Sequence, residues 1–251
     1  MDKTLTANYT AQVKQKLIAS GADLAGVADA EPLKALKTDP PNLLDSFTRA
    51  LSMAVQLPAA VFEMIEDQPT PIYDSVYQTA NRILDEITFK TAQRLQNDGF
   101  WSLPIPASQV LDMQNWYAAI SHKAVARMAG LGWQGKNLLL ITPKYGSRVR
   151  LATVLTDAPL IIDGPVKNRC GNCMMCSDAC PAGAIKGINT ENHYKTRNEA
   201  MHFDKCAAKL DTEFARLPKI SAQICGICIK VCPFGRKFGK RSVSRKHRTG
   251  K

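Results

Sequence analysis

The chain is 251 residues long, with 45% hydrophobic and 22% charged residues, the balance of a folded globular protein with room for one large domain and a smaller appended module. It contains no run of 18 apolar residues and no apolar core near the N-terminus, so neither a membrane-spanning helix nor a secretory leader is expected, and the expected location is the cytoplasm. The formal charge of +11 is uneven, because the last 17 residues carry eight Lys and Arg and no Asp or Glu; the high pI describes a tail rather than a basic folded surface.

Residues 6–20 place apolar positions at helical spacing and stop at Gly21, which predicts a helix. ADLAGVADA (22–30) and RALSMAVQLP (49–58) read as buried strands. The longest helical signal runs from Ile72 to Asn97, with Ile72, Val76, Ala80, Ile83, Ile87 and Leu95 on one stripe and Gly99 behind it; that stripe should pack on the sheet. GFWSLPIPAS (99–108) reads as a strand and a proline-interrupted loop, and SHKAVARMAGLGW (121–133) as a short helix ending at Gly130. KNLLLIT (136–142), a turn at PKYG and SRVRLATVLT (147–156) form an expected hairpin. Strands and helices mixed in this order predict an α+β fold, a mixed α/β core layer domain over residues 1–165. A ferredoxin-like two-cluster module is expected over 166–234, and a basic, disordered tail over 235–251.

The module is expected because all eight cysteines lie between Cys170 and Cys232. CGNCMMCSDACP has the spacing C-x2-C-x2-C-x3-C-P, from Cys170 through Cys173 and Cys176 to Cys180 and Pro181. In a two-cluster ferredoxin the first three thiolates of such a run hold one cubane and the fourth holds its neighbour. Laid on the same template, ICGICIKVCP equates Cys225, Cys228 and Cys232 with the second, third and fourth positions, and the first position falls on Ala222. Cys206 is the one cysteine left to fill the gap. The expected ligand sets are therefore Cys170, Cys173, Cys176 and Cys232 for one 4Fe-4S cluster, and Cys180, Cys206, Cys225 and Cys228 for the other. Zinc usually takes its cysteines as separated pairs, so it fits this spacing poorly.

GLGWQGKN contains a literal G-x-G-x-x-G at Gly130, Gly132 and Gly135. It follows a helix and leads into a strand, the reverse of a dinucleotide fingerprint. Its glycines are expected to permit a tight turn and close backbone approach to something flat or bulky.

The segment ISHKAVARMAGLGWQGKNLLLITPKYGSRVRLATVLTDAPL (120–160), followed by both cysteine runs, resembles the epoxyqueuosine reductase family and its shorter relatives with a double-cluster domain. That family shares its plan with reductive dehalogenases. The resemblance implies a corrinoid-binding core of nitroreductase-like plan, with cobalamin or another corrinoid held without a lower nitrogen ligand and two 4Fe-4S clusters delivering electrons to its cobalt. It also implies that Lys136, Leu140, Thr142, Ser147 and Leu151 contact the corrinoid. The family carries an aspartate, a proton donor, about 17 residues before the tryptophan of Gly-Leu-Gly-Trp; counting back from Trp133 gives Trp116. The nearest acid is Asp112, and Asp112, His122 and Tyr145 are the candidate proton donors, with Lys123 and Tyr117 beside them.

The expected function is an oxidoreductase, an iron-sulfur, cobalamin-dependent reductase. The alternative is an electron-transfer protein, or reductive activator of a corrinoid protein, without substrate chemistry of its own. The expected partners are a low-potential donor such as ferredoxin or flavodoxin and, as acceptor, a small molecule or a corrinoid protein, with tRNA possible but not favoured.

Overall fold

The computed structural model describes residues 3–191 and 193–235. Helix α1 (Lys3–Ala19) leads into strand β1 (Leu24–Asp29), followed by β2 (Arg49–Gln56), the short α2 (Ala59–Glu63) and the long α3 (Pro71–Asn97). Strand β3 (Ser102–Ile105), α4 (His122–Met128), the two-residue strands β4 (Trp133–Gln134) and β5 (Leu140–Ile141), and β6 (Val149–Thr156) complete the core. The main sheet runs β1-β2-β6-β3 with every pair antiparallel. Pro104 lies in the edge strand β3, where a missing backbone N–H costs no ladder bond on the outer side.

Both faces of this sheet are covered, so its strands read as apolar runs and yet still alternate. Leu51, Met53, Ala152 and Val154 point to the layer of α1 and α3, while Ala50, Ala54, Leu151 and Leu155 point to α4. Replacing a fully buried member such as Leu84 with Ala would cost about 2–5 kcal/mol. Thr70 caps α3, its hydroxyl accepting from the Tyr73 N–H at 3.2 Å, and Pro71 starts the helix.

Two expectations are corrected here. The buried stripe of α3 is Tyr73, Ala80, Leu84, Ile87, Ala92 and Leu95, whereas Ile72 and Ile83 are 49% and 38% exposed. The inward face also carries Asp74, Asn81 and Thr88, each hydrogen-bonded, and these polar positions shift the apparent apolar stripe by one residue. The hairpin is also different. β5 pairs with β4, and β6 lies between β2 and β3, so both its edges are taken. The PKYG turn closes on itself instead, through Thr142 and Gly146.

An extended segment from residue 157 leads to four short helices, α5 (Met175–Asp178), α6 (Arg197–Ala200), α7 (Phe203–Thr212) and α8 (Ile227–Lys230). This part is bound tightly to the core. The buried Asp74 carboxylate on α3 accepts from the N–H groups of Ser221 and Ala222 at 3.2 and 2.9 Å and from the Ser221 hydroxyl at 3.0 Å. Arg148 donates to the carbonyls of Phe234 and Lys230, both at 3.2 Å. A Cβ on Gly146 would stand 2.1 Å from the Phe234 carbonyl oxygen, so only glycine allows the two chains to meet there. The basic segment expected to be disordered lies, after its first residue, outside the described residues.

Candidate functional site: eight thiols beside a cationic cavity

The cysteines are all free thiols, Cys232 buried and the other seven half-buried. Cys232 and Cys170 sit in an apolar nest with Trp133 and Ile141, and Cys176, Cys180, Cys206 and Cys228 in another around Leu138 and Tyr194. Burial, then the charges of Cys170, Cys232 and Cys173, pushes the Cys176 thiol up to about 11. Burial first, and then Cys206 and Cys180, pushes Cys225 up to about 11, and burial with Cys225, Cys176, Cys206 and Cys180 raises Cys228 well above the usual thiol range. Cys180 acts on Cys206, and Cys206 acts on Cys225 and Cys228, while Cys176 stands among Cys170, Cys173 and Cys232 and also acts on Cys228, so the thiols are neighbours across both expected sets. Crowded thiols of this kind lose their protons when a metal core replaces them.

Among the described residues no three His, Cys, Asp or Glu side chains converge on a single ion. A cubane is held differently, each thiolate binding a separate iron. N–H groups already point at sulfur, among them Trp133 Nε1 to Cys170 Sγ at 3.3 Å and the Ala184 backbone to Cys180 Sγ at 3.4 Å. Burial raises the Cys232 thiol, and against it the Phe234 backbone N–H and the Arg148 charge favour the ionised form. Donors to thiolate sulfur and an apolar shell are what the expected clusters require.

A cavity of about 440 Å³ opens between the core and this cysteine-bearing part, within the range of small-molecule sites. Leu140, Ser147 and Leu151, three of the residues that the resemblance implies, line it, and so do Tyr194 and Ile229. Lys136 and Thr142 stand outside it. The Lys136 ammonium is buried and donates to the Cys173 carbonyl at 3.0 Å, which makes it an anchor for the cysteine loop. Thr142 is fully buried, its hydroxyl donating to the Gly146 carbonyl and accepting from the Tyr145 N–H.

The three candidate proton donors fall in three different places. Asp112 lies off the cavity wall. It accepts from the Asn115 side chain at 3.0 Å and its backbone at 2.9 Å and pairs with Lys37 at 3.6 Å, and the Asn115 bonds first, with Lys37 after them, hold its carboxyl below the usual range. Tyr145 is buried among the residues under α4, with Lys144 4.9 Å from its ring centre. His122 does line the cavity, yet both its nitrogens are engaged. The Pro106 carbonyl can only accept, so Nε2–H donates to it at 2.9 Å and Nδ1 accepts from Thr153 Oγ1 at 2.8 Å. Burial holds this ring neutral down to about 4.

The glycines of GLGWQG serve the protein's own chain. A Cβ on Gly132 would lie 2.2 Å from the Ile141 carbonyl oxygen, and one on Gly135 would lie 2.6 Å from the Ile141 side chain. The close approach expected at a ligand is therefore the packing of β4 on β5.

Two functional residues have no counterpart in the sequence reading. Arg150, from β6, donates to Asn81 Oδ1 at 2.8 Å and to the Ala107 carbonyl at 3.3 Å and lines the cavity. Its signal was a lone arginine inside an apolar strand. Arg197, from α6, donates to the carbonyls of Asn115 and Trp116 and lies 3.9 Å from the Tyr117 ring and 4.3 Å from that of Phe203. It thereby fastens loop 112–117, in which Trp116 adopts φ 54°, a conformation rarely taken by a bulky residue. Nothing near position 197 in the sequence announces this. With Lys37, Lys123 and Lys195 they give the cavity five cationic side chains, and among the described lining residues there is no Asp or Glu.

Residues 169–235 match the 4Fe-4S double cluster binding domain. The chain is similar to epoxyqueuosine reductases. It is 37% identical over 117 residues to the epoxyqueuosine reductase of Listeria monocytogenes, covering 47% of this chain and 30% of that protein. Against the Staphylococcus aureus enzyme the identity is 27% over 241 residues, covering 92% and 60%. The chain thus spans only part of the length of these relatives. Among solved structures, the catabolic reductive dehalogenase NpRdhA superposes with a TM-score of 0.71 at 21% identity, over 92% of this chain and 32% of that one. An epoxyqueuosine reductase bound to a tRNA-Tyr stem loop gives 0.60 at 23%, over 91% and 66%. These likenesses show that the double-cluster domain packs on a mixed α/β core of the same fold. Among the described residues of this reductase-like chain, no helix is long and apolar enough to cross a membrane.

Proposed function

We propose that the chain is an iron-sulfur oxidoreductase that carries electrons from two 4Fe-4S clusters to a corrinoid held in the cavity between the core, residues 1–165, and the double-cluster domain. The observation that supports the reading is the closeness of the cysteine-bearing part to the cavity: Ile229, next to Cys228 in sequence, lines it, and so does Ser147, next to the Arg148 whose charge acts on Cys232. A bound corrinoid supplies reductive chemistry at cobalt, and the residues present fit such a group. Leu140, Leu151 and Ile229 offer an apolar seat and Ser147 a hydroxyl, while His122 has no nitrogen free to ligate a metal.

The chain's own residues do the rest. Tyr117 and Lys123 are proton-bearing groups on the cavity wall, whereas Asp112 and Tyr145 stand outside it. Lys136 and Asp74 hold the cysteine loops in place, so the electron path stays short and fixed. The names of the relatives make epoxyqueuosine in tRNA the first substrate to assay, and nothing within the described residues favours the small molecule or corrinoid protein expected from the sequence. A low-potential ferredoxin or flavodoxin is the proposed donor. Trp116 in the place of the family's aspartate, together with the absence of Asp and Glu from the described residues of the cavity wall, favours as a second reading an electron-transfer protein without substrate chemistry of its own.

The experiment is anaerobic purification with reconstituted clusters, addition of cobalamin, and single turnover with epoxyqueuosine-bearing tRNA. Cubane and corrinoid absorption in one sample, followed by loss of the epoxide, supports the first reading. Clusters without corrinoid binding refute it, and corrinoid reduction without turnover selects the second.

A further inference from the structure

The cavity carries an electrostatic imbalance that the proposed function leaves unused. Lys123, Arg150 and Arg197 reach it from three elements, α4, β6 and α6, and all three are half-buried. Arg150 and Arg197 spend their donors on neutral oxygens, those of Asn81, Ala107, Asn115 and Trp116; among the described residues neither forms an ion pair, and Arg197 feels only the more distant charge of Asp112, which lies off the cavity wall. Charges withdrawn from water without an opposite partner are costly, and they favour the entry of an anion.

We propose that this side of the cavity is an anion subsite, in which the Lys123 ammonium takes a carboxylate or phosphate oxygen and Arg150 and Arg197 supply the surrounding positive potential. The reading rests on the reductase function only in that it uses the same cavity. The anion has two chemical sources, an acidic group on the substrate or the phosphate of a corrinoid's nucleotide tail. The charged groups that face Lys123 are Arg197 and Arg150, with His122 adjacent and Cys206 the one anion-forming group in reach. Cys206 belongs to a cluster ligand set and lies on α7, away from the cavity lining. Burial first, and then Arg197 and Arg150, brings the Lys123 ammonium down to about 8. An anion therefore binds best below that pH and is released as the pH rises through it.

The test uses the whole chain with both clusters in place and titrates benzoate against its neutral isostere benzamide by calorimetry. A charge-assisted contact should make benzoate at least about tenfold tighter. That preference should vanish in Lys123→Met, survive in Lys123→Arg, and fade between about pH 7 and pH 9.5. Equal binding of the two probes, no binding of either benzoate or inorganic phosphate, or a preference that survives Lys123→Met overturns the proposal. The wild-type comparison and its pH dependence decide the matter even where a variant does not fold.

Repeating the titration with cobalamin and with cobinamide, which lacks the phosphate tail, identifies the source. Loss of the benzoate preference under cobalamin alone assigns the subsite to the cofactor's phosphate, and retention under both assigns it to the substrate. If neither corrinoid binds while benzoate does, the reductase reading fails and the anion subsite stands.

Discussion

Trp133→Phe gives the sharpest test of the way this chain tunes its clusters. Trp133 is fully buried, packs edge-on against Phe234 with ring centres 4.8 Å apart, and donates Nε1–H to Cys170 Sγ at 3.3 Å. Phenylalanine keeps the aromatic packing and removes the donor. A hydrogen bond to a charged acceptor contributes about 1.5–3 kcal/mol. A cubane with four thiolates gains one electron on a net charge of about −2, so the bond strengthens by roughly half, or about 1 kcal/mol, in the reduced state. For a one-electron couple that is about 40 mV, since a tenfold change in equilibrium corresponds to 59 mV. Spectroelectrochemical titration of the variant should show the cluster at Cys170 becoming harder to reduce by about 40 mV, with the other cluster unmoved. A potential that stays put or rises would refute the assignment of Trp133 as a donor to a cluster ligand.

Cys206→Ala should reduce iron from about eight to about four atoms per chain, read by iron and labile-sulfide analysis, because it removes a ligand of one cubane and none of the other; retention of all eight irons would separate Cys206 from the set. His122 stays neutral in the fold down to about 4 but would ionise near 6.5 in the unfolded chain, so the unfolded chain takes up the proton first as pH falls. Stability should therefore decline between about pH 7 and pH 4, by at most about 3 kcal/mol, and urea titrations of His122→Gln should lack that component. Arg197→Ala removes two hydrogen bonds to loop carbonyls and two ring contacts, so amide exchange in residues 111–117 should quicken by roughly tenfold or more. Unchanged exchange would show that the loop is held by something else.

The parts that were legible in the sequence are those fixed by local rules. Helix α3 and strands β1 and β2 follow from apolar period and bounding turn residues, and the double-cluster domain follows from the cysteine spacing. What was not legible is partner choice. Val149–Thr156 is apolar on both faces, and nothing within it says that its neighbours are β2 and β3 rather than the segment just before it. The same holds at the cavity. The resemblance pointed to Leu140, Ser147 and Leu151, which line the cavity, but Arg150 and Arg197 reach it from positions 47 residues apart in sequence, and no periodicity connects them. Lys136 was named for its closeness along the chain to the segment of Leu140, and its long stem crosses to the cysteine loop, off the cavity wall.

The grip of the Asp74 carboxylate on residues 221 and 222 bears on how the protein matures. The second cysteine run acquires its shape from a helix that begins some 150 residues earlier, so the inorganic centres can be assembled properly only on a chain whose first half has already condensed. The wiring cannot be lifted out as a cassette. Grafted elsewhere, residues 169–235 would leave the Ser221 and Ala222 amides seeking a carboxylate that the graft does not carry.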